Sequence, residues 1–111
     1  MGPKTFINVI GTRCHPDDDA KFNKWYDEVH IPMLMKFKGM KKVTRYKAAY
    51  LPKDYPTYLT IYEFASKADF EAYSNSPELA EARKEMAETW KERPFELTWR
   101  VQFEALKTWE R

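Results

Sequence analysis

Two periods divide this chain. Over residues 5–12, TFINVIGT, β-branched and aromatic side chains predict a first strand with apolar residues on both faces. Phe6 and Ile10 lie on one face and Ile7 and Val9 on the other, with Asn8 interrupting the first. Residues 13–19, RCHPDDD, read as a loop in which one of the aspartates caps the next helix and the others favour its positive end. Over residues 20–37, AKFNKWYDEVHIPMLMKF, the period becomes helical. At about 100° per residue, Phe22, Trp25, Tyr26, Val29 and Met33 share one apolar arc, opposite Lys24, Asp27 and Glu28. His30 falls at the edge of that arc, and Pro32 predicts an end or kink near Ile31. Lys38-Gly39-Met40 reads as a turn with Gly39 available for positive φ.

Alternation returns at residues 43–50, VTRYKAAY, where Thr44, Tyr46, Ala48 and Tyr50 share one face and Val43, Arg45, Lys47 and Ala49 the other. A loop with two prolines leads to a third strand over residues 58–65, and its shortness makes the two strands an antiparallel pair. Tyr58, Thr60, Tyr62 and Phe64 share one of its faces. Ser66-Lys67-Ala68-Asp69 is a helix start of the Ser-x-x-acid type. The helix breaks near Ser74-Asn75 and restarts with Ser76 as cap and Pro77 at the first position. Leu79, Ala82, Met86 and Trp90 form its inward stripe, and Arg93-Pro94 ends it. Residues 95–109 predict a long final strand in which Trp99, Val101, Phe103 and Ala105 alternate with Thr98, Arg100, Gln102 and Glu104.

The order β-α-β-β-α-β is the α+β, ferredoxin-like arrangement: a four-stranded antiparallel sheet with two helices on one face. We read residues 1–111 as a single domain of this kind, since 111 residues supply one core. Helices cover one side of such a sheet, yet strands one and three carry apolar residues on both. The second face therefore needs a cover, and a second copy packed face to face in a homodimer is the simplest one.

Composition narrows the partners. Lys and Arg number 19 against 17 Asp and Glu, interleaved, and no basic block marks a nucleic-acid surface. No apolar run reaches the roughly 18 residues of a membrane span. The N-terminus lacks a secretory pattern, and Gly2 is followed by Pro3 with Phe6 where a myristoylation signal has Ser or Thr. The single cysteine, Cys14, cannot close an intrachain disulfide, so a reducing cytoplasm is the expected location. Two histidines, with Cys14-His15 adjacent in a loop, give no metal site. Three glycines provide no phosphate loop, and no nucleophile elbow is present.

The chemistry that remains gathers around His30. An imidazole titrates near neutrality and suits general acid–base work, although a histidine at an apolar boundary often only hydrogen-bonds a carbonyl. Tyr26, one turn earlier, is placed to orient it or to donate to a substrate oxygen. Tyr46 and Tyr50 line a cleft if their shared face meets the helices, and Arg45 then points to the dimer side or to solvent. Arg83, inside the apolar arc of the last helix, either snorkels to the rim or balances a substrate carboxylate or enolate. Trp25, Met86 and Trp90 are candidate ligand contacts as well as core residues. Asn8, polar within an apolar strand, either fixes the core or directs a donor into the cleft.

The motif W-Y-x-x-x-H-x-P (Trp25, Tyr26, His30, Pro32), followed by K-G-M and T-R-Y (Thr44, Arg45, Tyr46), resembles the EthD-like branch of the dimeric α/β-barrel proteins. Element order and length extend the likeness to the whole chain, while the motif itself covers about residues 22 to 46. The resemblance implies a dimer whose two sheets form a barrel, a ligand cleft between sheet and helices in each protomer, and a motif histidine, here His30, that faces the cleft. Relatives include monooxygenases that need neither metal nor flavin, polyketide cyclases, and dehalogenating, decarboxylating and haem-degrading enzymes. Haem-degrading relatives typically carry their iron-binding histidine in the second half of the chain, where this sequence has none. The expectation is thus a small cofactor-independent enzyme acting on an apolar aromatic or polyketide-like substrate, with His30 moving a proton while Tyr26 or Tyr46 holds an enolate oxygen. The alternative is a dimeric barrel that binds a hydrophobic molecule without turning it over.

Overall fold

The computed structural model describes residues 4–111; the Gly2-Pro3 pair of the N-terminal expectations lies outside the described residues. Strands β1 (Phe6–Arg13), β2 (Met40–Lys47), β3 (Tyr58–Phe64) and β4 (Glu96–Glu104) form one sheet in the order β2-β3-β1-β4. All neighbours are antiparallel. Helices α1 (Asp19–Trp25) and α2 (Ile31–Leu34) connect β1 to β2, and α3 (Lys67–Ser74) and α4 (Pro77–Thr89) connect β3 to β4. This is the ferredoxin-like α+β fold.

Proline does not end the first helical segment. A π turn over Tyr26–His30 joins α1 to α2, and the Ile31 N–H reaches back five residues to the Tyr26 carbonyl. Proline supplies no N–H and crowds the carbonyl four residues before it, so the wider turn accommodates it without a break. The extra residue also shifts the helical phase. Val29, expected on the apolar arc, is exposed, while His30 and Leu34 are buried and Met33 is half-buried.

The later caps follow their side chains. Ser66 Oγ accepts from the Asp69 N–H at 3.2 Å, and Ser76 Oγ accepts from the Leu79 N–H at 3.2 Å. The aspartate cap does not form. Asp18 stands at the N-cap of α1 without a capping hydrogen bond and is held by Arg93 at 2.8 Å, and Asp19 accepts from the Tyr58 hydroxyl at 2.5 Å. Gly39 has no positive φ. A Cβ there would lie 2.5 Å from the Phe37 ring, so lack of bulk is what the position needs. Strand β4 ends at Glu104, and Leu106 and Trp109 beyond it are exposed.

Register assigns the two faces. Asn8 stands opposite Tyr62 on β3 and Gln102 on β4, and Ile10 opposite Thr60 and Arg100; Arg45 on β2 also stands opposite Thr60. These residues look toward the helices, where Phe6, Ile10, Phe22, Tyr26, Tyr62 and Phe64 belong to one buried cluster. The other face carries Val9 opposite Ile61 and Val101, and Gly11 opposite Leu59 and Trp99. A Cβ on Gly11 would lie 2.8 Å from Pro56 and 2.9 Å from Thr98 Oγ1, beside an irregularity that shifts the β1–β4 register. Trp99, Val101 and Phe103 are exposed along the open face of β4.

Candidate functional site

A cavity of about 280 Å³ lies between the sheet and the helices. Asn8, Ile10 and Thr12 from β1 and Tyr62 from β3 contribute to its sheet side. Tyr26, His30 and Leu34 enter from the first helical segment, and Leu79, Arg83 and Met86 from α4. Leu97, Arg100 and Gln102 of β4 complete one wall.

His30 reaches the cavity because the π turn rotates it inward. Its ring stacks on Trp25 at 4.7 Å between centroids and 23° between planes, and meets the edge of Tyr26 at 5.1 Å. Nδ1 is buried without a hydrogen-bond partner. Burial lowers the imidazole pKa from about 6.5 to about 4, and the nearby Glu85 carboxylate offsets only part of that shift. The resting ring is therefore neutral at pH 7. It can accept a proton, but it does not titrate near neutrality as its unperturbed value suggests.

Glu85 had no signal in the helical stripe, yet it organises this corner. It accepts from Trp25 Nε1 at 2.8 Å and from the Thr89 hydroxyl, which holds the indole against the imidazole. Tyr26 and Tyr62 share a hydrogen bond of 2.7 Å between their buried hydroxyls. Burial raises both phenol pKa values, so both remain protonated donors at neutral pH. Asn8 is 7% exposed, and its Oδ1 accepts from Gln102 Nε2 at 2.9 Å. That bond fixes the amide at the cavity wall.

Four expected contacts lie elsewhere. Tyr46 is 52% exposed and looks away from the helices; Tyr50 lies beyond the end of β2 and is 92% exposed. The alternation on β2 has the opposite sense to the one expected, because Arg45 is the inward residue. Its guanidinium lies 4.6 Å from the centre of the Tyr26 ring and donates to Asp27 Oδ1 at 2.8 Å and Asn23 Oδ1 at 2.9 Å. Trp25 and Trp90 are buried in the aromatic core around Phe22 and do not line the cavity. Trp25 acts on the site indirectly, through its stack with His30 and its edge contact with Tyr26 at 5.7 Å.

Two basic residues mark the cavity mouth. Arg83 was a candidate from the sequence; Arg100 was not, because its face of β4 is polar and reads as solvent-facing. Both are exposed and both line the cavity. Among the described residues, no group of three or more His, Cys, Asp or Glu is placed to hold a metal ion. No helix of the described residues is long and apolar enough to cross a membrane.

A model of the family described as "Domain of unknown function (DUF4286)" matches residues 6–106. No curated protein matches. Among solved structures, an EthD family protein from Bacillus halodurans superposes with a TM-score of 0.67 at 14% identity, covering 91% of this chain and 99% of that one. A Bacteroides fragilis protein described as dimeric, of unknown function and ferredoxin-like fold gives 0.66 at 16% identity, covering 95% and 100%. SnoaB, described as a cofactor-independent oxygenase from Streptomyces nogalater, gives 0.60 at 12% identity, covering 99% and 97%. At these identities the likeness is one of fold, and it bears out the EthD-like expectation at that level.

Proposed function

The chain belongs to the DUF4286 family, and from that premise we propose that it is a small cofactor-independent enzyme acting on an apolar aromatic or polyketide-like compound in the cavity. The carrying observation is an imidazole without a hydrogen-bond partner in the cavity wall, beside a pair of protonated phenols. Neutral His30 takes a proton from a carbon next to a substrate carbonyl. The C–H electron pair moves into the enolate, and the Tyr26 hydroxyl donates to the oxygen where charge develops. Tyr62 holds that hydroxyl in place. The proton on His30 is then available for return to the product. Oxygenation, cyclisation and decarboxylation can all pass through this enolate-like state, and the fold does not select among them.

A homodimer belongs to the same reading. The exposed Trp99, Val101 and Phe103 continue the apolar open face beside Val9 and Ile61, and a second copy would cover that face sheet to sheet.

The non-catalytic reading has one observation in its favour: an imidazole whose pKa lies near 4 is a weak base. A fluorescence titration separates the steps. Trp25, stacked on His30, should report occupancy by saturable quenching when phenolic, quinone and polyketide-like compounds are added. Any ligand with an enolisable position is then incubated in deuterated water. Wild type should exchange that position and His30→Gln should not; binding without exchange in wild type would leave only the binding barrel.

A further inference from the structure

Resting on the cavity as a small-molecule site, we propose that its natural ligand is an acid: a compact, largely apolar compound whose carboxylate is held at the mouth by Arg83 and Arg100.

The charge inventory of the wall is one-sided. It contains two guanidinium groups and no aspartate or glutamate. Three of the other four arginines are matched, all but Arg111 at the end of the chain: Arg13 pairs with Glu96, Arg45 with Asp27 and Arg93 with Asp18. Among the described residues, neither Arg83 nor Arg100 enters an ion pair. They come from different elements, α4 and β4, yet converge. Both stand near enough to the Tyr73 hydroxyl to oppose the rise that burial gives its pKa. Two guanidinium groups brought to one cavity from a helix and a strand suit the planar, two-oxygen geometry of a carboxylate.

The rest of the wall explains why the ligand is not simply a small polar anion. Ile10, Leu34, Leu79 and Met86 present apolar surface toward the cavity. The volume of about 280 Å³ is just below the roughly 300–1,000 Å³ typical of small-molecule sites, which suits a body of one or two rings. With the carboxylate at the rim, that body extends toward His30 and Tyr26. The arginines thus set direction as well as affinity.

The test compares 2-naphthoate with the uncharged 2-naphthamide by isothermal titration calorimetry at neutral pH, using wild type, the double variant R83Q/R100Q and K84Q, which removes an exposed charge of α4 outside the cavity. Wild type should prefer the acid by about tenfold or more, the scale of a charge-assisted hydrogen bond. The double variant should bind both probes about as wild type binds the amide, and K84Q should retain the preference. Equal binding of acid and amide by wild type, or an acid preference that survives in the double variant, overturns the proposal while leaving the cavity as a site. Failure of both probes to bind wild type overturns the cavity reading and this proposal together. Both substituted positions are exposed, so the fold should be kept; if the double variant melts early, the wild-type ratio and R100Q alone still decide. Failure of the catalytic reading would look different: an intact acid preference with no exchange at an enolisable position.

Discussion

One helical layer covers the sheet, but its two ends have opposite characters. At the β2–β3 end, Arg45 is enclosed by Asn23, Asp27, Tyr26 and Tyr58, with both of its terminal nitrogens engaged. At the β4 end, Arg100 and Arg83 stand over a cavity without a carboxylate beside them. The same residue type therefore serves structure at one end and is free to meet a ligand at the other. Partners distinguish the roles better than burial or position in a motif. Arg45 sits inside the family-like T-R-Y piece, whereas Arg100 sits in an ordinary alternating strand.

If the closed end carries the stability, Phe22→Ala should give the largest effect. Phe22 has no exposed surface and packs against Trp25, Tyr26, Tyr58, Trp90 and Phe95. Removing its ring should cost about 3–5 kcal/mol, read as a large drop in the denaturant midpoint. A loss below about 1 kcal/mol would mean that the aromatic cluster is not the fold's anchor.

His30 joins the two ends, and its contribution depends on pH. The folded chain holds it neutral down to about pH 4, while the unfolded chain protonates it near 6.5. Between those values the unfolded state binds the extra proton, so stability from this group is full above about 6.5 and falls as pH drops to about 4. The loss approaches roughly 3 kcal/mol. Denaturation of wild type and H30Q across this range should show the difference between them closing toward low pH. Parallel curves would mean that His30 is not desolvated as described.

Arg45→Met should cost about 2 kcal/mol, because it removes two charge-assisted hydrogen bonds and a cation–π contact. It should also loosen Tyr26, so the variant should lose ligand affinity together with stability. R83Q/R100Q should instead leave the melting temperature nearly unchanged. If both substitutions lowered stability alike, the proposed division between the ends would fail.

Much of this architecture was readable from periodicity, for definite reasons. Strand β3 alternates cleanly because one face is buried, and the Ser66 and Ser76 caps carry their own side-chain chemistry. His30 and Tyr26 were legible because they share one side of an amphipathic segment. Two of the departures are matters of phase or register. A π turn displaced Val29 outward, and β2, which begins three residues earlier than expected, ends before Tyr50. The face of β2 could not be decided from its alternation because each face mixes polar and apolar residues. Arg45 is neutralised by partners from another element, which no local pattern reveals.

The smallest expected effect on stability probes the remaining asymmetry, in β4. Its apolar residues Trp99, Val101 and Phe103 face away from the helices, while polar Arg100 and Gln102 face the cavity. For a strand in a lone one-sided sheet this is inverted: the apolar face should meet the helices. The inversion makes sense if the helix-facing side is a polar cavity wall and the open side is buried by a second copy. Val101→Glu places a charge in the middle of that open face, where Val101 is already 38% exposed in the protomer. It should change protomer stability by less than about 0.5 kcal/mol. Sedimentation should nevertheless show wild-type dimers and variant monomers, and the variant should retain preferential binding of 2-naphthoate. A monomeric wild type would remove the dimer as an explanation of β4, and loss of acid preference in the variant would tie the arginine mouth to an intact assembly.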